Sequence, residues 1–438
     1  MKCIDSLPRW LLLTLSFSLA CNLPFLRPVG SVLPVAETLP PPFLPSTGAP
    51  TAPQASPTAA RIPTLDPANN LLPDSEIVDS PAGLNFDLLA FIQASGGWFT
   101  QAEQYLPSTG RTPAPQVLVR VALENSINPR LLAALLDFEC GCVFSQPTQK
   151  LDRDYLLGVR DEAYQGIYRQ LSWAVEQLSD AFYARAFGSP TLSLSPPNPN
   201  WNPGSVALWY YFARHAAQQG HSSAQAEADL AAFLAAYTTR FGDPWARAIP
   251  LLPPATQQPV LTLPFPSPAE HPWALTGGPH PPWTRHGPWA ALDFAPTLRG
   301  AEACDTSPDW VLAPAAGRVV RSANGALLLD LDFDGREQTG WTLLFMHLAE
   351  NGRLPIGTDV KPGTRLGHPS CEGGPASGAH VHIARKYNGM WIPADGSLPF
   401  SLGAWRAHFG DKAYQGRLTN GDRTVTASPY GARSSVLP

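Results

Sequence analysis

Proline is the residue that most limits what this chain can fold into. There are 49 prolines among 438 residues. Each fixes φ and removes a backbone donor, so it is kept out of helix interiors and central strands. The prolines are unevenly placed. One concentration fills the first eighty residues, in runs such as Leu39-Pro40-Pro41-Pro42, and a second lies in 251–268. Both are read as linkers: a disordered, Pro-stiffened spacer over 21–82 and a shorter joint over 251–268, since such composition buries too little apolar area to offset chain entropy.

Between the joints, over 83–250, apolar residues recur every three or four positions, in Val117 to Asn125, Pro129 to Glu139, Gly166 to Arg185, Val206 to Gln218 and Ala224 to Phe241. That spacing predicts helices. Beyond the second joint the runs shorten and are bounded by Gly, Pro, Asn and Asp. The best predicted strands are Gly317 to Ser322, Ala326 to Asp332, Trp341 to Leu348 and His380 to Lys386. The expected fold is multidomain: an all-α N-terminal domain, then a mainly antiparallel β domain over 269–402, then a C-terminal extension over 403–438. The length agrees, because one core seldom organises so many residues.

Residues 1–20 read as an export signal, with Lys2 and Arg9 near the start and an apolar run from Trp10 to Ala20 that is too short to span a bilayer. Leu19-Ala20-Cys21 fits either lipid attachment at Cys21, which would give a membrane-anchored lipoprotein, or ordinary cleavage and secretion. Export permits disulfides. Cys304 and Cys371 share the β domain and are the natural pair, whereas Cys140 and Cys142 are too close for an easy bridge to each other and are left open. A formal charge of −5 with no Lys/Arg-rich run excludes nucleic acid as a partner.

Four β-domain segments hold residues with metal chemistry: Gly277-Gly278-Pro279-His280, Ala290-Ala291-Leu292-Asp293-Phe294-Ala295-Pro296, Leu344-Phe345-Met346-His347-Leu348 and Gly378-Ala379-His380-Val381-His382. Positions two apart on a strand share a face, so His380 and His382 point together. With His280 and Asp293 from an earlier loop, this strand could complete a two-His, one-Asp site with a fourth position for water. At these residues the sequence resembles the lysostaphin/LytM endopeptidases, and more closely their β-lytic, staphylolysin-like branch. The GGPH start, the step from His280 to Asp293, the ALDFAP run and Cys371-Glu372-Gly373-Gly374 carry the resemblance. It implies Zn2+ held by His280, Asp293 and His382, a catalytic pair His347 and His380, and peptidoglycan peptides as substrate. His286 is the rival first ligand, because LytM-like members use a shorter step to the aspartate. A non-catalytic LytM-like protein that binds wall or activates other hydrolases is the alternative function, although such domains generally lose ligands.

Three further segments carry weaker signals. Asp330-Leu331-Asp332-Phe333-Asp334-Gly335 imitates the start of a calcium loop, yet Trp341 occupies the position of the closing Glu, so a hairpin turn is expected. His368 reads as a loop residue. Ser126 to Gly141 resembles the segment of lytic transglycosylases and other lysozyme-like folds whose helix ends on a catalytic Glu, which makes Glu139 a candidate glycan site.

Overall fold

The structure is a computed structural model that describes residues 66–189, 191–254, 257–266, 271–297 and 303–438. The expected signal, Cys21 and most of the first linker lie outside those residues. Six α-helices come first: α1 (Leu88–Ser95), α2 (Ala114–Asn125), α3 (Pro129–Cys140), α4 (Ile167–Phe187), α5 (Pro203–Gln218) and α6 (Ser223–Phe241), with a small hairpin of β1 (Glu103–Leu106) and β2 (Gly110–Pro113). Local chemistry sets their ends. Asn128 accepts from the Arg130 N–H, Pro129 takes the first helical position, and Gly141 stops α3 at φ 58°, where a residue without Cβ is favoured.

The second half is β: β3 (Trp273–His280), β4 (Ala291–Pro296), β5 (Val311–Leu312), β6 (Gly317–Ala323), β7 (Ala326–Asp330), β8 (Trp341–Met346), β9 (Asp359–Val360), β10 (Arg365–Gly367), β11 (Val381–Tyr387) and β12 (Met390–Trp391). The main sheet is antiparallel, in the order β3-β4-β11-β8-β7-β6-β9, with β12 paired to β11. Residues 403–438 are no mere tail. With β13 (Ser401–Leu402), strands β14 (Trp405–Phe409), β15 (Gly416–Asn420) and β16 (Arg423–Thr426) form a four-stranded sheet whose Trp405, Leu418 and Val425, together with Leu437 after it, join the core on one face of the main sheet.

The other face meets the helices. Ala291, Leu328, Leu344, Ala384 and Trp391 belong to the same hydrophobic cluster as Leu118, Leu132, Trp173 and Tyr211. Polar contacts reinforce that seam. Trp391 donates its backbone N–H to the Tyr183 hydroxyl at 3.0 Å, the Ser126 hydroxyl donates to Gly389 O at 2.6 Å, and Lys386, buried, donates to the Ser126 hydroxyl at 3.4 Å.

Two expectations need correction. Residues 66–80, read as part of the disordered linker, are folded: Leu72, Ile77 and Val78 are fully buried, and Val78 bridges to Ile127. Three apolar side chains that fill gaps between helices outweigh the polar composition around them. Cys140 and Cys142 are also bonded to each other. The left-handed turn at Gly141 folds the chain back on itself, so their Cα atoms stand 5.1 Å apart, within the span a disulfide needs. In the proline-rich joint, Leu251, Leu261 and Phe265 are buried, and Thr262 N–H donates to Pro314 O.

Candidate metal centre

His280, Asp293 and His382 come together on three adjacent strands rather than from a loop. His382 on β11 stands opposite Asp293 on β4, and Asp293 stands opposite Gly277 on β3. The register of β3 slips between Leu275 and Gly277 and again between Gly277 and His280, and such a bulge re-aims a side chain. Both glycines of the GGPH run have physical work here. A Cβ on Gly277 would lie 2.4 Å from Asp293 Oδ2, and one on Gly278 would lie 2.3 Å from Gln415 O.

The ring orientations are fixed from behind. His280 Nδ1–H donates to Gly278 O at 2.8 Å, and His382 Nε2–H donates to Pro282 O at 2.8 Å, since a carbonyl can only accept. The inward atoms are therefore the lone pairs of His280 Nε2 and His382 Nδ1 together with Asp293 Oδ1. They are separated by 3.0 Å between the two nitrogens and by 3.3 and 3.1 Å from each to the oxygen. Three acceptors packed that closely repel one another unless a cation sits among them. Burial alone would raise the Asp293 carboxyl, but the adjacent His280 and His382 outweigh it and hold Asp293 well below the usual carboxylate range, so it is ionised, while burial lowers His382 and favours its neutral form. Two neutral imidazoles and one carboxylate, each imidazole fixed by a backbone carbonyl, form a donor set that fits Zn2+.

Next to this group the rings of His347 and His380 lie with centroids 4.3 Å apart. His347 follows β8 with φ 62°, and its Nδ1–H donates to Glu372 O at 2.8 Å. His380, just before β11, donates Nδ1–H to Gly378 O at 2.8 Å, leaving Nε2 3.8 Å from Asp293 Oδ1. Burial first, then the neighbouring His380 and His382, which disfavour a further proton, push the His347 imidazole down to about 4. Both rings thus have one nitrogen held and one free. The Cys304–Cys371 bond expected from the sequence is present.

His286 is placed elsewhere. Its Nδ1 meets Asp180 of α4 at 2.7 Å and its Nε2 lies 3.6 Å from Glu176, so the loop after β3 carries it to the helices. Glu139 stands at the end of α3 against His215, 3.4 Å away, and burial pushes its carboxyl up to about 8. The Asp330 carboxylate closes its own turn by accepting from the Asp332 and Gly335 N–H groups at 3.0 and 2.8 Å, although Asp330, Asp332 and Asp334 do gather ligand atoms within 4.8 Å. His368 donates to Asp309 O and packs on Trp310. One residue escaped the sequence reading. Tyr414, in the turn between β14 and β15, stacks on His280 at 4.1 Å, and Gly278 N–H donates to its carbonyl at 2.8 Å. Nothing in the linear sequence marks a tyrosine 134 positions away as the lid of the first histidine.

Comparison with known proteins returned a family match in the helical half. Residues 70–255, which include the segment around Glu139, match the family model described as "LasA, N-terminal domain". No curated protein matches. Among solved structures, pseudoalterin, an M23 metalloprotease from the deep sea, is 22% identical over 39% of this chain and 96% of its own, with TM-score 0.32. The catalytic domain of the antimicrobial peptidase lysostaphin from Staphylococcus simulans is 20% identical over 29% and 90%, with TM-score 0.21. The catalytic domain of the M23 protein EnpA of Enterococcus faecalis is 17% identical over 33% and 99%, with TM-score 0.23. The helical half is therefore similar to the LasA N-terminal domain, a likeness that comes from a part of the chain holding none of the peptidase motifs and agrees with the LytM-type, LasA-like resemblance those motifs carry.

Proposed function

We propose that this protein is a zinc endopeptidase that cuts peptide bonds in bacterial cell-wall peptidoglycan, with His280, Asp293 and His382 as the metal ligands and His347 and His380 as the proton-handling pair. The observation that carries the reading is the convergence of three lone-pair atoms within 3.3 Å, backed by two carbonyl-anchored rings. When bound there, zinc polarises a scissile carbonyl and supplies a water acidic enough to act as nucleophile near neutral pH. The chain's own part is positional. The free nitrogens of His347 and His380 lie on one side of the ligand group, where they take a proton from the attacking water and deliver one to the leaving amine. His280 and His382 are kept as neutral ligands by Gly278 O and Pro282 O, and Asp293 contributes the only carboxylate. Two disulfides suit an exported protein, and among the described residues no helix is long and apolar enough to cross a membrane. A Cys21 lipid anchor would make the attachment superficial.

The test pairs metal analysis of the full chain with digestion of purified peptidoglycan and mass spectrometry of the fragments. His280→Ala is expected to lose zinc and cleavage together, while His286→Ala keeps the metal, because Asp180 and Glu176 hold that ring away from the ligand group. Zinc retained by a folded His280→Ala protein and lost from His286→Ala would reverse the ligand assignment. A metal-loaded wild type that binds peptidoglycan but releases no fragments would establish the non-catalytic alternative.

A further inference from the structure

We propose that Ser370, secured by the neighbouring Cys304–Cys371 bond, is a positioning residue that holds both His347 and His380 in their working orientation. The inference rests on the proposed roles of those two histidines. It starts from a conformational problem. His347 has φ 62°, a left-handed backbone that a residue with a Cβ disfavours and adopts only when its surroundings impose it.

Ser370 supplies that constraint from three directions. Its backbone N–H donates to His347 O at 2.7 Å and its hydroxyl donates to the same carbonyl at 3.0 Å. The hydroxyl also accepts from the Glu372 N–H at 3.1 Å, and Glu372 O is the group that holds His347 Nδ1–H. A single buried hydroxyl, 2% exposed, thus ties the backbone of His347 to the acceptor of its ring. On the other side, Ser370 O accepts from the His380 N–H at 3.4 Å.

The disulfide closes the same loop from outside. Cys371 is bonded to Cys304, and Ala303, beside Cys304, accepts the Ala379 N–H at 2.6 Å. That hydrogen bond pins the backbone next to Gly378, whose carbonyl orients the His380 ring. The turn is also held from below, where Leu348 N–H donates to Gly325 O and a Cβ on Gly325 would lie 2.5 Å from Glu372 C. None of the hydrogen bonds of Ser370 reaches His280, Asp293 or His382. The device acts on the proton-handling pair and leaves the ligands alone.

The prediction is a rate defect without a metal defect. In the full-length, zinc-loaded chain acting on solubilised peptidoglycan fragments, Ser370→Ala should lower kcat by about tenfold to a hundredfold. Zinc content should be full and KM little changed, and Ser370→Thr, which returns a hydroxyl, should recover much of the lost rate. Should Ser370→Ala fail to fold, the Cys304→Ala/Cys371→Ala chain carries the same test, with kcat reduced and zinc kept. Unchanged kcat in Ser370→Ala, loss of zinc in parallel with kcat, an effect confined to KM, or a Thr variant no better than Ala would each overturn the proposal. His347→Ala run alongside separates the two levels. If it abolishes cleavage while Ser370→Ala does not affect kcat, only the positioning role falls. If His347→Ala itself keeps the wild-type rate, the role given to His347 fails and this inference goes with it.

Discussion

Replacing Glu139 by glutamine separates stability from chemistry in this molecule. The Glu139 carboxyl, ordinarily near 4.5, is pushed up to about 8 by burial first and by the negative charge of Asp229 second. Its neighbour His215 is lowered, chiefly by burial, and donates Nε2–H to Leu157 O at 2.7 Å. His215 Nδ1 therefore presents a lone pair 3.4 Å from Glu139 Oε1, and the contact is a neutral acid facing a neutral imidazole rather than an ion pair. Between pH 4.5 and about 8 the folded chain keeps a proton that the unfolded chain has released, so this site loses stability as pH rises through that window. A gap of about 3.5 at about 1.4 kcal/mol for each sets a ceiling of about 5 kcal/mol above pH 8. The side chain is 19% exposed, and water reaching it brings the expectation down to about 2–3 kcal/mol. Glutamine keeps the shape, never ionises, and its amide can donate to His215. Unfolding of wild type and Glu139→Gln should coincide near pH 4 and diverge upward, the variant being the more stable near pH 8.5, with peptidoglycan cleavage retained. Other buried acids such as Asp74, raised to about 7 by burial, shift both proteins equally and cancel in the difference. Curves that stay parallel from pH 4 to 8.5 would refute the buried-acid account, and a folded Glu139→Gln chain that no longer cleaves would refute the separation of Glu139 from the chemistry.

Three other outcomes follow from the packing. Lys386→Met leaves Glu337 buried with Arg321 at 3.0 Å as its remaining partner, and should cost about 3 kcal/mol in denaturant unfolding; a loss under about 1 kcal/mol would show that Arg321 suffices. Gly373→Ala places a Cβ 2.7 Å from Asn324 O at φ 88° and should lower stability by about 2 kcal/mol or more, so a melting temperature equal to wild type would contradict the close approach. In denatured, unreduced protein, Cys140, Cys142, Cys304 and Cys371 should all resist alkylation, and peptide mapping that finds label at any of the four would break the corresponding bond.

The parts of the fold that could be read in advance are those governed by short-range rules. Helical periodicity located α2 to α6, because each buries one stripe against the same core, and the short apolar runs of β7, β8 and β11 suit strands covered on both faces of the sheet. The convergence of His280, Asp293 and His382 is a matter of strand register, which puts Asp293 across from His382, and the glycines beside His280 mark a backbone under close approach. Contacts between distant segments were not. Leu72, Ile77 and Val78 sit in a stretch whose average composition argues for disorder, and they are ordered by joining the helical core. Cys140 and Cys142 looked unbridgeable because sequence separation says nothing of the reversal at Gly141.

Gly278 shows where the boundary lies. Its place in the GGPH run is visible in the sequence, but the reason is an atom that arrives from residue 415, on a hairpin that sequence reading treated as an appendage. That hairpin delivers Tyr414 onto the His280 ring, and burial first, then the Asp293 carboxylate, raises the Tyr414 phenol. The His280 ring is therefore set between two constraints of different origin. Gly278 O, two residues away, fixes which nitrogen faces inward, and Tyr414, 134 residues away, fixes the plane of the ring. Truncating the chain after Phe400 would keep His280, His347, His380, His382 and Asp293 yet remove the second constraint together with Trp405, Leu418 and Val425 from the core, so the C-terminal sheet supports the His280 ring as much as β3 does.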